Sequence, residues 1–152
     1  MNSRQDKAAN LVTALGLIDQ AAAAGADLAV LPEYLDYLGT DGGALEAAEP
    51  VPGPFVERIA MQARARGLWV LAGSVHARMT DGRYRNASLL IDRHGQVVAR
   101  YDNLHLFDIG LAGQPSYRES ATVGGGEHIV TAEIAGVLAG LSICYDLRFP
   151  EL

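Results

Sequence analysis

Two apolar runs, residues 28–31 (Leu-Ala-Val-Leu) and 68–75, each follow a stretch with helical spacing that ends on a glycine. A helix feeding a buried strand, twice in succession, narrows the chain to an α/β architecture with helices against a sheet. In the first unit, Ser3 followed by Asp6 resembles a capping-box start. Leu11, Leu15, Ile18 and Ala22 mark one helical face, and Gly25 lies past its end. In the second, Pro54 can open a helix whose inner face carries Phe55, Ile59 and Ala63, with Gly67 closing it. Pro32 stops the first strand. The segment 34–53, rich in glycine and acidic residues, reads as a loop.

The rest of the chain adds hairpins. Residues 85–92 and 96–101 flank Arg93-His94-Gly95, and residues 128–134 and 137–143 flank Ala135-Gly136. Hairpins beside helix–strand units imply a mixed sheet with helices on one face. A polar, glycine-rich loop separates the hairpins, ending at Glu127. The 152 residues, 49% of them hydrophobic, support the core of one domain, and no linker composition divides them.

Charge and cysteine usage exclude several functions. A net charge of −6 without a basic tract gives no nucleic-acid footprint. The polar start Met1-Asn-Ser-Arg-Gln-Asp-Lys7 is unlike a signal peptide, and no apolar run reaches membrane-spanning length. A single cysteine forms no internal disulfide, which fits a reducing cytoplasm. Neither nucleic acid nor membrane is therefore expected as a partner.

That cysteine, Cys144, ends an apolar run and precedes Tyr-Asp-Leu-Arg-Phe-Pro-Glu-Leu152. The pattern expects a thiol on a turn after a buried strand, at a helix entrance whose N–H groups favour the thiolate. A lone cysteine is also an ordinary small core residue, so neighbouring motifs decide its meaning. His105 could form a Cys–His pair, but no partner signature accompanies it. Gly124-Gly125-Gly126 lacks the Lys-Ser/Thr of a phosphate loop and reads as a turn.

Four segments combine in order: Leu28-Ala-Val-Leu-Pro-Glu-Tyr34, Tyr101-Asp-Asn-Leu-His-Leu-Phe-Asp108, Tyr117-Arg-Glu-Ser120 and the Cys144 segment. Together they resemble the nitrilase superfamily of carbon–nitrogen hydrolases, in its Nit-type and ω-amidase-like branch. The resemblance implies an α-β-β-α sandwich, here one partial domain over 1–152, incomplete at both ends, that dimerises or assembles further when complete. It implies hydrolysis of a small amide or nitrile through a cysteine thioester, without metal or organic cofactor. Carried over by position, Glu33 matches the general base, Cys144 the nucleophile, and Glu119 a second glutamate that positions the site. The Tyr145 backbone N–H is expected to face the oxyanion. Arg148 and Asp146 either line the substrate cleft or hold the helix entrance.

The resemblance fails at one position. The family's catalytic lysine falls on Asn103. An amide carries no charge, and the loss of one transition-state donor costs ~3–4 kcal/mol. The only lysine, Lys7, lies on the first helix and is expected on its exposed face. Arg100 and Arg118 are nearer in sequence, but a guanidinium substitutes poorly for an ammonium. The expectation is an impaired hydrolase. Its alternative is a non-catalytic pseudoenzyme or fragment that acts only in subunit association. A partial sandwich is further expected to be poorly stable or to associate with itself.

Overall fold

The computed structural model describes residues 1–110 and 116–152; part of the expected glycine-rich loop, residues 111–115, lies outside the described residues. Its centre is a mixed four-stranded sheet in the order β1-β2-β3-β4, formed by Leu28–Val30, Trp69–Arg78, Tyr84–Ile91 and Val97–Asp102. Strands β1 and β2 run parallel, and the other neighbours are antiparallel. The parallel pair needs a crossover, and the segment between β1 and β2 supplies it with two helices, α2 (Asp41–Ala47) and α3 (Pro54–Arg66).

Helix α1 (Lys7–Ala23) and α3 pack on one face of the sheet. Their Ala14, Ile18, Phe55, Ile59 and Ala63 meet Val70, Ala72, Leu89 and Ile91 from alternate positions of β2 and β3. Alternation sends Leu71 and Ala99 to the opposite face, where they contact Tyr101, Leu141 and Ile143. The chain beyond β4 covers that face. It carries a two-residue pair, β5 (Asp108–Ile109) with β6 (Tyr117–Arg118), and the hairpin β7 (Thr131–Ile134) with β8 (Val137–Gly140). Gly95 in the β3–β4 turn has φ +78°, which a side chain rarely adopts.

Several expectations need correction. Helix α1 is capped by Asp6, which accepts the Ala9 N–H at 2.9 Å; Ser3 is a buried residue outside the helix. Its most buried face includes a polar residue, Asn10. That side chain exchanges hydrogen bonds with Arg4 and donates to the Asp36 carbonyl at 2.9 Å, tying the N-terminus to the loop after β1. The segment 34–53 is not wholly loop. Thr40 caps α2 through the Gly43 N–H, and Ala44 packs with Tyr37, Ala48 and Tyr84. Strand β2 runs on to Arg78, and β8 stops at Gly140. After Ile143 comes a single 3-10 turn, Cys144–Arg148, rather than an α-helix.

Candidate active site

A bulge in β2 builds the first wall. The register with β3 slips between Ala72 and Val75, at Gly73-Ser74. A Cβ on Gly73 would collide with the carbonyl oxygens of Leu31 and Pro32, so only glycine lets the loop after β1 lie this close. Ser74 then holds that loop. Its Oγ accepts the Tyr34 N–H at 2.9 Å, its N–H donates to the Pro32 carbonyl, and its carbonyl accepts the Leu35 N–H. Glu33 sits between these anchors. Asn86 of β3 donates from Nδ2 to Glu33 Oε1 at 2.8 Å, while the fully buried Asn86 Oδ1 has no partner among the described residues.

The second wall is Cys144. Its φ of +48° is uncommon for a side-chain-bearing residue and turns the chain sharply out of the extended Ile143. One buried carboxylate holds this turn. Asp146 accepts the Ile143 N–H at 2.9 Å, the Tyr101 hydroxyl at 2.5 Å and the Asn103 amide at 2.9 Å. It also accepts the His105 backbone N–H at 3.0 Å and lies 2.8 Å from His105 Nδ1. Burial would raise this carboxyl, but the bonds from Tyr101, Ile143 and His105 outweigh it and hold it below the usual range. Of the two places considered for Asp146, it therefore holds the turn. His105 is committed to Asp146 and stacks on Phe149 at 3.7 Å, so it makes no Cys–His pair.

Glu119 completes the set from a 3-10 turn after β6. It is 9% exposed. Its Oε1 accepts the Tyr34 hydroxyl at 2.6 Å, and its Oε2 accepts the Phe107 N–H at 2.7 Å. Burial and then the Glu119 carboxylate push the Tyr34 phenol far up, so it stays a donor. Neither Tyr34 nor Asn86 stood out in the sequence. Each joins a site glutamate across 85 or 53 residues, and no local pattern carries that signal.

Glu33, Asn103, Glu119, Cys144 and Tyr145 line one cleft of about 160 Å³ with Tyr34, Phe107 and Tyr117. Arg148 is exposed and does not line it. A larger cavity of about 380 Å³ opens among Ile129, Leu141, Leu147, Phe149 and Leu152, away from Glu33, Glu119 and Cys144, which line the smaller cleft. No lysine, arginine or histidine lines that cleft among the described residues. Lys7, half-buried rather than exposed, is paired with Glu49 at 2.7 Å. Arg100 is paired with Asp102, and Arg118 is an exposed residue of β6.

The thiol responds to this imbalance. Burial raises Cys144 first, then the charge of Glu33 and its hydrogen-bonding pull on the thiol, then the charge of Glu119. The Tyr145 backbone works in the opposite direction and is outweighed. In place of the expected α-helix entrance a 3-10 turn follows Ile143, and burial together with the two carboxylates holds the thiol above its usual range. The glycine run 124–126 serves packing. Gly124 N–H donates to the Tyr84 carbonyl and Gly126 N–H to the Asn103 carbonyl, and a Cβ on Gly126 would strike Asp102. Among the described residues, no three His, Cys, Asp or Glu side chains are grouped to hold a metal ion.

Comparison with known proteins follows the same lines. The family model for carbon–nitrogen hydrolase matches residues 1–152. Deaminated glutathione amidase of Homo sapiens is 35% identical over 158 residues, covering 100% of this chain and 48% of that protein. The enzyme of the same description from Synechocystis is 38% identical over 157 residues, covering 100% of this chain and 57% of that one. The crystal structure of the C. elegans NitFhit protein superposes with a TM-score of 0.93 at 31% identity, covering 100% of this chain and 38% of that one. The chain spans about half the length of the curated relatives it matches.

Proposed function

The chain belongs to the carbon–nitrogen hydrolase family, and from that premise we propose that its cleft hydrolyses a small amide or nitrile through a thioester on Cys144. One observation carries the reading: Glu33, Glu119 and Cys144, distant in sequence, line one cleft, with the cysteine on a sharp positive-φ turn. In this scheme Glu33 takes the thiol proton and the sulfur attacks the amide carbon. The oxyanion faces the Tyr145 backbone N–H. Protonated Glu33 returns the proton to the leaving amine, and ammonia departs. Glu33 then activates water to cleave the thioester. Glu119, pinned by Tyr34 and Phe107, positions the groups around it.

Asn103 limits this chemistry. Its side chain is 2% exposed and donates to the Ile143 carbonyl at 3.1 Å and to Asp146, so it brings no charge to the cleft. Burial, and then two carboxylates without a cation, hold the thiol above its usual range, and turnover falls by roughly 10²–10³ relative to a lysine-bearing site. That same imbalance favours a second reading, a non-catalytic relative retained for subunit association.

Ammonia release from a panel of small primary amides and nitriles tests both. The hydrolase reading expects slow release that Cys144→Ala abolishes and Asn103→Lys raises about a hundredfold. Release that survives Cys144→Ala overturns it. No release from either the native chain or Asn103→Lys establishes the non-catalytic reading.

A further inference from the structure

A buried, hydrogen-bonded Asp–His pair outside the cleft stands behind Tyr34. Asp36 and His76 are 1% and 4% exposed. Asp36 Oδ1 lies 2.8 Å from His76 Nδ1, and Asp36 Oδ2 accepts the backbone N–H of the same histidine at 3.1 Å. One carboxylate thus grips both the ring and the main chain of His76, which fixes the ring plane. Three tyrosines surround that ring. Tyr34 stacks on it at 4.7 Å and 20°, Tyr84 tilts against it at 4.6 Å, and Tyr37 meets it edge-on at 6.1 Å.

Tyr34 needs such support. Its φ of +50° is uncommon for a bulky residue and persists only where surroundings over-determine it. Its N–H is held by Ser74 and its ring by His76, and its hydroxyl donates to Glu119 at 2.6 Å. An apolar pair would fill the same volume without the cost of desolvating a carboxylate. What it would lack is a fixed ring plane. We propose that His76, clamped by Asp36, is a positioning residue that acts through Tyr34 to hold Glu119 at the cleft. This inference rests on the reading of Glu119 as part of the site. Without the ring, Tyr34 relaxes, its hydroxyl leaves Glu119, and the carboxylate swings off the Phe107 N–H toward solvent.

The readout is the pH profile of Cys144 alkylation by iodoacetamide, measured beside the melting temperature. The titratable groups lining the cleft with Cys144 are Glu33, Glu119, Tyr34, Tyr117 and Tyr145. Moving the Glu119 charge away lowers the midpoint and raises the rate below it about threefold. Glu119→Gln and His76→Leu are both expected to do this. His76→Gln keeps a donor toward Asp36, serves if the leucine variant does not fold, and is expected to shift the profile because it lacks the ring. In a Tyr34→Phe background, either His76 substitution is expected to add nothing. A His76 variant that lowers the melting temperature yet leaves the midpoint in place overturns the proposal. So does a shift that persists undiminished with Tyr34→Phe. If Glu119→Gln itself shifts nothing, the reading of Glu119 fails, and this inference with it.

Discussion

Asn103 turns its amide hydrogens inward, to Ile143 and Asp146, and leaves the neighbouring carboxylates without a cation. An ammonium at this position would stabilise the thiolate. Asn103→Lys is therefore expected to lower the pH midpoint of Cys144 alkylation and to speed labelling at neutral pH at least tenfold. An unchanged midpoint would show that Asn103 is not what keeps the thiol protonated. The sign carries over to stability. A raised thiol favours the protonated folded state, so its contribution is full below the unfolded cysteine's range and is lost as pH rises through the folded value. Replacing Cys144 with serine is expected to flatten that alkaline loss in urea titrations at successive pH values. At this scale, much of the cleft was legible in sequence. Glu33, Glu119 and Cys144 sit in local motifs. Tyr34, Asn86 and Asp146 act through contacts across 85, 53 and up to 45 residues, which no local pattern encodes.

The elements that carry these residues owe their placement to close backbone approach. The β2 bulge at Gly73-Ser74 seats the loop that bears Glu33. Gly73→Ala is expected to destabilise the fold by about 1–3 kcal/mol, because the new methyl meets carbonyl oxygens rather than yielding side chains. Equilibrium urea denaturation checks the magnitude, and a cost near zero would mean that the loop moves freely. Helices α1 and α3 were readable from spacing and glycine stops. Helix α2 was not, because Gly42 and Gly43 each disfavour helix by about 1 kcal/mol relative to alanine. Its Thr40 cap and the packing of Ala44 against Tyr37 override that local penalty. At Cys144, the apolar run read as one strand, yet β8 ends at Gly140, before Leu141 and Ile143, which pack on Tyr101 instead.

At the scale of the whole molecule, the segment beyond β4 leaves several large apolar side chains exposed. Ile129 and Leu147, which line the larger cavity, are 63% and 85% exposed, and Val137 and Leu138 of β8 are 67% and 73% exposed. Exposed apolar side chains of this size favour association. The chain is expected to sediment above monomer mass as concentration rises, and the pair Leu138→Lys with Leu147→Lys is expected to restore the monomer. Monomeric sedimentation of the native chain at high concentration would contradict this. Among the described residues, no helix is long and apolar enough to cross a membrane. The bond network around Asp146 bears on how such a molecule breathes. The amides of His105 and Ile143 both end on that carboxylate, though 38 residues separate them (143 − 105). Neither can reach solvent without loosening the same junction. Hydrogen exchange should therefore find the two amides opening as one unit, so that the segment holding Asn103 and the turn holding Cys144 rise and fall together.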